Sequence, residues 1–218
     1  MSGARQSHWQ SVYASKSETQ TSWYRPHLDH SLRLVDGLAL PPDAPLIDIG
    51  GGRATLVDDL LARGYRDVSV LDLAAVALDA ARQRLGADAA QVRWLCANIL
   101  DVDLPAAHYA LWHDRAVFHF LTEPAPRAAY LAQMARALRP GGYAIIATFA
   151  ADGPGRCSGL PVQRYAADAL AACFAAHFEC VGDSREEHRT AAGAVQPFTY
   201  VLLRKRSDAP VISESVPC

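Results

Sequence analysis

The stretch Leu46-Ile47-Asp48-Ile49-Gly50-Gly51-Gly52-Arg53-Ala54-Thr55-Leu56 decides the fold. An apolar run the length of one buried strand ends in a carboxylate and three glycines, and a series that can start a helix follows. Glycine at such a turn takes positive φ and lets a ligand reach the main chain without meeting a Cβ. The helix beyond it points its free N–H groups and positive dipole end at whatever lies there. Strand, glycine loop and helix in this order predict a nucleotide-like cofactor.

Two cofactor classes use this arrangement. A dinucleotide fingerprint needs Gly-x-Gly-x-x-Gly for close approach to a pyrophosphate, and counting from Gly50 gives Gly52 and then Thr55, so the third glycine is missing. Asp48 would also repel a pyrophosphate, whereas it would attract the positive amino-acid group of S-adenosylmethionine. Asp48-Ile-Gly50-Gly51-Gly52-Arg-Ala54 resembles motif I of the class I S-adenosylmethionine-dependent methyltransferases, whose pattern is Asp/Glu-x-Gly-x-Gly-x-Gly. Ala54 departs from that pattern at its last position, where a small residue still permits close packing.

The resemblance spans about 46–204 and implies a doubly wound α/β fold with a seven-stranded sheet, order 3-2-1-4-5-7-6, strand 7 antiparallel, beneath an N-terminal helical lid. The expected organisation is one domain over 1–218: a helical cover at 1–40, a Rossmann-like core at 45–205 and a flexible tail at 207–218.

Later segments agree with this order. Val68–Leu71 reads as a second strand ending at Asp72, where a carboxylate offers two acceptors to a ribose. Gln91–Leu95 reads as a third strand. In the family an acid or its amide beyond this strand meets the adenine, and Asn98 matches; Leu73 and Ile99 are the adjoining cofactor candidates, with turn chemistry the alternative role for Asn98. The turn Leu138-Arg139-Pro140-Gly141-Gly142 ahead of a strand at Tyr143–Phe149 is also common in the family, and the strands Phe178–Ser184 and Phe198–Lys205 match its closing hairpin.

Tyr109–Trp112 is an apolar run ending in His113-Asp114-Arg115-Ala116-Val117-Phe118-His119, at the carboxyl end of a strand, where open α/β sheets place their crevice. His113, Asp114, Arg115 and His119 are therefore the candidate catalytic groups, with His113 a candidate cofactor contact as well. The opposing reading pairs Asp114 with Arg115 structurally and makes His119 a satisfied core histidine. The run lacks the Asn/Asp-Pro-Pro-Tyr tetrapeptide of adenine-base methylation.

Trp9, Tyr13 and Trp23 lie in the N-terminal segment, either as anchors or as a lid closing aromatic faces over a sulfonium. In the lid reading Tyr13 and Trp23 face the cofactor and Trp9 the substrate. The loop 150–165 is punctuated by glycine and proline and suits substrate selection, with Arg156, Cys157, Arg164 and Tyr165 as candidates. Glu186-Glu187-His188-Arg189 reads as a solvated hairpin face.

Composition narrows the possibilities. With 218 residues and 50% apolar content there is material for one sizeable core, and a net charge of −2 gives no electrostatic case for nucleic acid. No apolar run reaches the ~18 residues of a membrane span. Met1–Gln10 contains no apolar signal core, so the sequence is read as cytoplasmic. Five cysteines, with no Cys-x-x-Cys pair, support neither a disulfide framework nor a metal site. A small-molecule acceptor such as a thiol or small acid is expected, with protein lysine methylation second and a non-catalytic cofactor-binding sensor as the alternative of another class. The sequence leaves oligomeric state open.

Overall fold

The structure, a computed structural model, describes residues 2–207. Helix α1 (Ser2–Ser15) leads through an irregular link to α2 (Asp29–Gly37). The core then runs β1 (Leu46–Ile49), α3 (Leu56–Ala62), β2 (Val68–Asp72), α4 (Ala75–Leu85), β3 (Val92–Cys96), β4 (Tyr109–Arg115), α5 (Pro124–Ala137) and β5 (Leu138–Phe149). A ribbon of β6 (Arg156–Cys157) and β7 (Leu160–Pro161) precedes α6 (Ala167–Phe174), β8 (Phe178–Arg189) and β9 (Val195–Lys205).

The main sheet has the order β3-β2-β1-β4-β5-β9-β8, which is the expected order with the ribbon left out of the count. The pairs from β3 through β5 are parallel, and β9 runs antiparallel to both β5 and β8. Side chains alternate across each strand, so the sheet buries two apolar faces. Leu46, Val68 and Leu111 pack with Leu32 and Val35 of α2 and with Leu28 just before it on one face. Ile47, Trp112 and Ile146 pack with Tyr130 and Met134 of α5 on the other.

Several boundaries differ from the sequence reading. The helix that the sequence places directly after the glycine loop starts only at Leu56, because positive φ at Gly50 and Gly52 carries the chain around before it can coil. The closing hairpin is longer than expected: β8 extends to Arg189 and pairs with β9 as far as Val195. Glu186 and His188 are consequently buried, which corrects the solvated-face reading, while Glu187 and Arg189 stay exposed. Strand alternation turns the two pairs to opposite sides.

Cys96, Cys157, Cys173 and Cys180 are free thiols. Cys218 and the tail expected beyond Ser207 lie outside the described residues. Among the described residues no helix is long and apolar enough to cross a membrane, and no cluster of His, Cys, Asp and Glu could hold a metal ion.

Candidate active site

A cavity of about 530 Å³ opens at the carboxyl ends of β1, β2 and β4, within the size range of small-molecule sites. Gly50, Asp72, Leu73, Asn98 and Ile99 line one part of it. Arg115, Phe120, Phe149, Cys157 and Phe198 line another, with Trp9, Tyr13 and Trp23 contributed by the N-terminal segment.

The glycine loop is built for close approach. A Cβ on Gly50 would strike the Val117 side chain, and one on Gly51 would stand 2.6 Å from both Asp48 Oδ2 and Val70 Cγ1. A Cβ on Gly52 would meet the Tyr13 hydroxyl, with Asp72 Oδ2 3.1 Å away. Larger residues are therefore barred by packing on all sides, and the φ values of +69° at Gly50 and +50° at Gly52 add backbone strain for any other residue.

Asp72 ends β2 with its carboxyl buried against the cavity. Its Oδ1 accepts the Ala74 N–H at 2.8 Å. Burial, with the Asp48 charge adding to it, pushes the pKa up to about 7 against the pull of the backbone N–H groups of Ala74, Leu73 and Gly52. A ligand that brought hydroxyl donors would relieve this carboxyl, so the site suits the ribose of S-adenosylmethionine. Asn98 is occupied locally as well: its amide nitrogen donates to Asp101 at 3.2 Å and its oxygen accepts the Leu100 N–H at 3.2 Å, which is turn chemistry.

The sequence cluster at the end of β4 is divided by strand alternation. His113 faces α2, where its Nδ1 lies 2.7 Å from Asp48 Oδ1 and its Nε2 lies 2.9 Å from Ser31 Oγ. Asp114 points the other way. It accepts the Val117 N–H at 2.8 Å and the Tyr130 hydroxyl at 2.5 Å, and burial pushes its pKa up to about 6. His119 is buried between Phe120 and Phe149, at ring distances of 4.4 and 4.9 Å. Its Nδ1 lies 3.4 Å from the Phe149 nitrogen, its Nε2 has no partner among the described residues, and burial followed by the Arg115 charge lowers its pKa to about 3. Of the four catalytic candidates, Arg115 alone lines the cavity.

Arg115 returns to the His113 face and meets β9 and β8. Its Nε donates to the Tyr200 hydroxyl at 3.0 Å and its Nη2 to Glu186 Oε2 at 3.3 Å, while Tyr200 donates to the same Glu186 oxygen at 2.9 Å. Burial alone would raise the Glu186 carboxyl, but Arg115 and the Tyr200 hydroxyl hold it below the usual carboxylate range. Glu186 is thus a site residue that the sequence reading missed. A run polar on both strand faces has no hydrophobic alternation to show which side is buried.

Helix α1 lies across the cavity. Arg5 donates to the Phe120 carbonyl at 3.1 Å, Gln6 to the Leu73 carbonyl at 3.2 Å, and Gln10 accepts the Val76 N–H at 3.3 Å. Trp9 packs edge-on against Trp23 and Phe120 at centroid distances of 5.9 and 5.2 Å.

Among the substrate candidates, Trp9 and Cys157 line the cavity. Burial pushes the Cys157 thiol up to about 11. Arg156, Arg164 and Tyr165 do not line it. Arg156 and Arg164 bond to the carbonyls of Gly159 and Gly153 and brace their own loop, and Tyr165 packs toward Phe118 at 5.9 Å.

Residues 46–142 match the family model described as a methyltransferase domain. No curated protein matches the chain. Among solved structures, one from work on conversion of a disulfide bond into a thioacetal group during echinomycin biosynthesis superposes with a TM-score of 0.76 at 20% identity, covering 97% of this chain and 95% of that one. The Burkholderia thailandensis 1,6-didemethyltoxoflavin-N1-methyltransferase, with 1,6-didemethyltoxoflavin and S-adenosylhomocysteine bound, has a TM-score of 0.72 at 24% identity, covering 94% and 88%. An Anabaena variabilis S-adenosylmethionine-dependent methyltransferase has a TM-score of 0.70 at 15% identity, covering 94% and 95%. At these identities the likeness carries the fold, and the matched family model supplies the stretch from β1 into β5 that holds the glycine loop. Together they give 46–142 a match to a methyltransferase domain and the chain a fold shared with S-adenosylmethionine-dependent methyltransferases of known structure.

Proposed function

We propose that the protein transfers a methyl group from S-adenosylmethionine to a small-molecule acceptor, such as a thiol or small acid, held in the cavity beneath α1. The observation that carries this reading is the cavity itself: one part has the glycine loop and Asp72, another is walled by Phe120, Phe149 and Phe198, and α1 lies across it. A pocket latched under a helix suits an acceptor that enters whole.

In this reading the main-chain turn at Gly50 to Gly52 cradles the amino-acid end of the cofactor. Asp72 accepts the ribose hydroxyls, and Leu73, Asn98 and Ile99 border the adenine. Bound S-adenosylmethionine supplies an already activated methyl on a sulfonium. The chain's own task is to align the acceptor and exclude water. Trp9, Tyr13 and Trp23 close aromatic surface over the cation, and Arg115 presents hydrogen-bond donors at the acceptor end. His113 and Asp114 act by position, the first by orienting Asp48 and the second by holding the turn after β4. The domain assignment follows the same lines, with 1–40 as cover and 45–205 as core.

The test is incubation with methyl-labelled S-adenosylmethionine and a cell extract divided into small-molecule and protein fractions. Label should enter the small-molecule fraction. Label confined to protein would favour lysine methylation instead.

A further inference from the structure

We propose that the acceptor is a planar aromatic acid that reacts as its anion, with the ionised atom docked on the free edge of Arg115. This rests on the methyl-transfer reading and names the class of acceptor that the same cavity takes.

The geometry at Arg115 sets the docking point. Tyr200 and Glu186 occupy Nε and Nη2, and Nη1 has no partner among the described residues. The guanidinium carbon lies 4.1 Å from the Phe198 ring centroid, so the fork is fixed in plane as well as in direction. Phe198 and Phe149, at a ring distance of 5.0 Å, form adjoining walls of the cavity. A flat ring fits against these walls with one polar atom turned to Nη1.

The acceptor end lacks a group to remove a proton. Its ionisable lining residues are Arg115, Arg5 beside Phe120, Tyr13 and Cys157; the arginines hold no basic lone pair, and burial keeps the Tyr13 hydroxyl and the Cys157 thiol protonated. The carboxylates that line the cavity, Asp72 and Asp101, belong to the end of β2 and the turn after β3, on the far side of β1 and β4 from β9. An ammonium, with a usual pKa of about 10.4 for lysine, would arrive with a proton it cannot lose and a charge opposed by Arg115. An acid that ionises near neutral pH gives its proton to bulk water before entry and needs no base.

The step balances without another reactant. A lone pair of the anion forms the bond to the methyl carbon, and the carbon–sulfur bond breaks with its pair going to sulfur, converting the sulfonium to a thioether. The neutral methylated product no longer pairs with Arg115, which favours its release.

The experiment uses thiophenol, 4-nitrophenol, benzylamine and a lysine-containing peptide as probes with labelled S-adenosylmethionine, and calorimetry with S-adenosylhomocysteine alongside. The two aryl acids should be methylated, with the amine and peptide slower by about 100-fold or more. The rate with 4-nitrophenol should follow the probe's own ionised fraction as pH changes. Changing Arg115 alone to a neutral residue would leave the buried Glu186 with only Arg25, at 3.7 Å, as a cation partner, so the isosteric pair R115Q/E186Q and the charge-keeping R115K are both used. Each should raise KM for thiophenol about tenfold or more while S-adenosylhomocysteine affinity stays within about threefold. Preference for the amine or peptide, an unchanged KM in both variants, or no aryl methylation by a protein that binds S-adenosylhomocysteine would overturn the proposal. Failure to bind S-adenosylhomocysteine would instead remove the methyl-transfer reading beneath it.

Discussion

His113 on β4 holds Asp48 on β1 through an Nδ1 to Oδ1 contact of 2.7 Å, and the two residues are direct neighbours in the parallel register. The other ring nitrogen reaches Ser31 of α2 at 2.9 Å. A buried polar chain therefore runs from Asp48 beside the glycine loop through His113 to Ser31 on α2. Replacing His113 by leucine leaves Asp48 and Ser31 without their shared partner. Urea unfolding should show a loss of about 2–4 kcal/mol, with a smaller loss of about 1 kcal/mol for Ser31→Ala. Equal stability of His113→Leu and wild type would mean the chain contributes nothing.

His119 provides an acid-sensitive element. Its folded pKa of about 3 lies below the ordinary 6.5, so as pH falls below 6.5 the unfolded chain takes up a proton that the folded chain does not. The stability present above pH 6.5 is lost progressively toward pH 3. In His119→Phe, stability should fall less steeply between about pH 6 and 4, by about 1.4 kcal/mol per pH unit. Parallel acid limbs in the two proteins would contradict a buried neutral imidazole.

Asp72 couples cofactor affinity to pH. Burial, then the Asp48 charge, raises its pKa to about 7, and hydroxyl donors from a bound ribose favour the ionised form. S-adenosylhomocysteine affinity should therefore rise as pH increases from 6 to 8, with proton release on binding near pH 6.5. Calorimetry in buffers of different ionisation enthalpy measures that release. Asp72→Asn should bind more weakly and without this pH dependence. A dependence that survived in Asp72→Asn would place the titrating group elsewhere.

Trp9 joins α1 to the cavity through Trp23 and Phe120. Trp9→Ala should weaken S-adenosylhomocysteine binding and slow turnover by about tenfold while the core unfolds at nearly the wild-type denaturant concentration. Normal turnover would show that α1 is an anchor and not a cover.

The sheet order and the cofactor class were legible in the sequence because glycine loop chemistry is local. Asp48, Gly50 to Gly52 and Asp72 carry their meaning within a strand and the turn after it. The acceptor end was not legible in the same way. His113, Asp114 and Arg115 are consecutive in the chain, yet alternation sends Asp114 to Tyr130 on α5 and the other two to the α2 and β9 side. Glu186 reads as surface because its burial depends on Arg115, 71 residues away, and on Tyr200. The ribbon of β6 and β7 spans two residues a strand, too short for a period to show.

The glycine loop and Asp72 are predicted to hold S-adenosylmethionine and not a dinucleotide. Calorimetric titration of the protein with S-adenosylhomocysteine and, separately, with NAD tests it most directly. Saturable binding of S-adenosylhomocysteine with no heat from NAD is the predicted result, and saturable NAD binding without S-adenosylhomocysteine binding would contradict it.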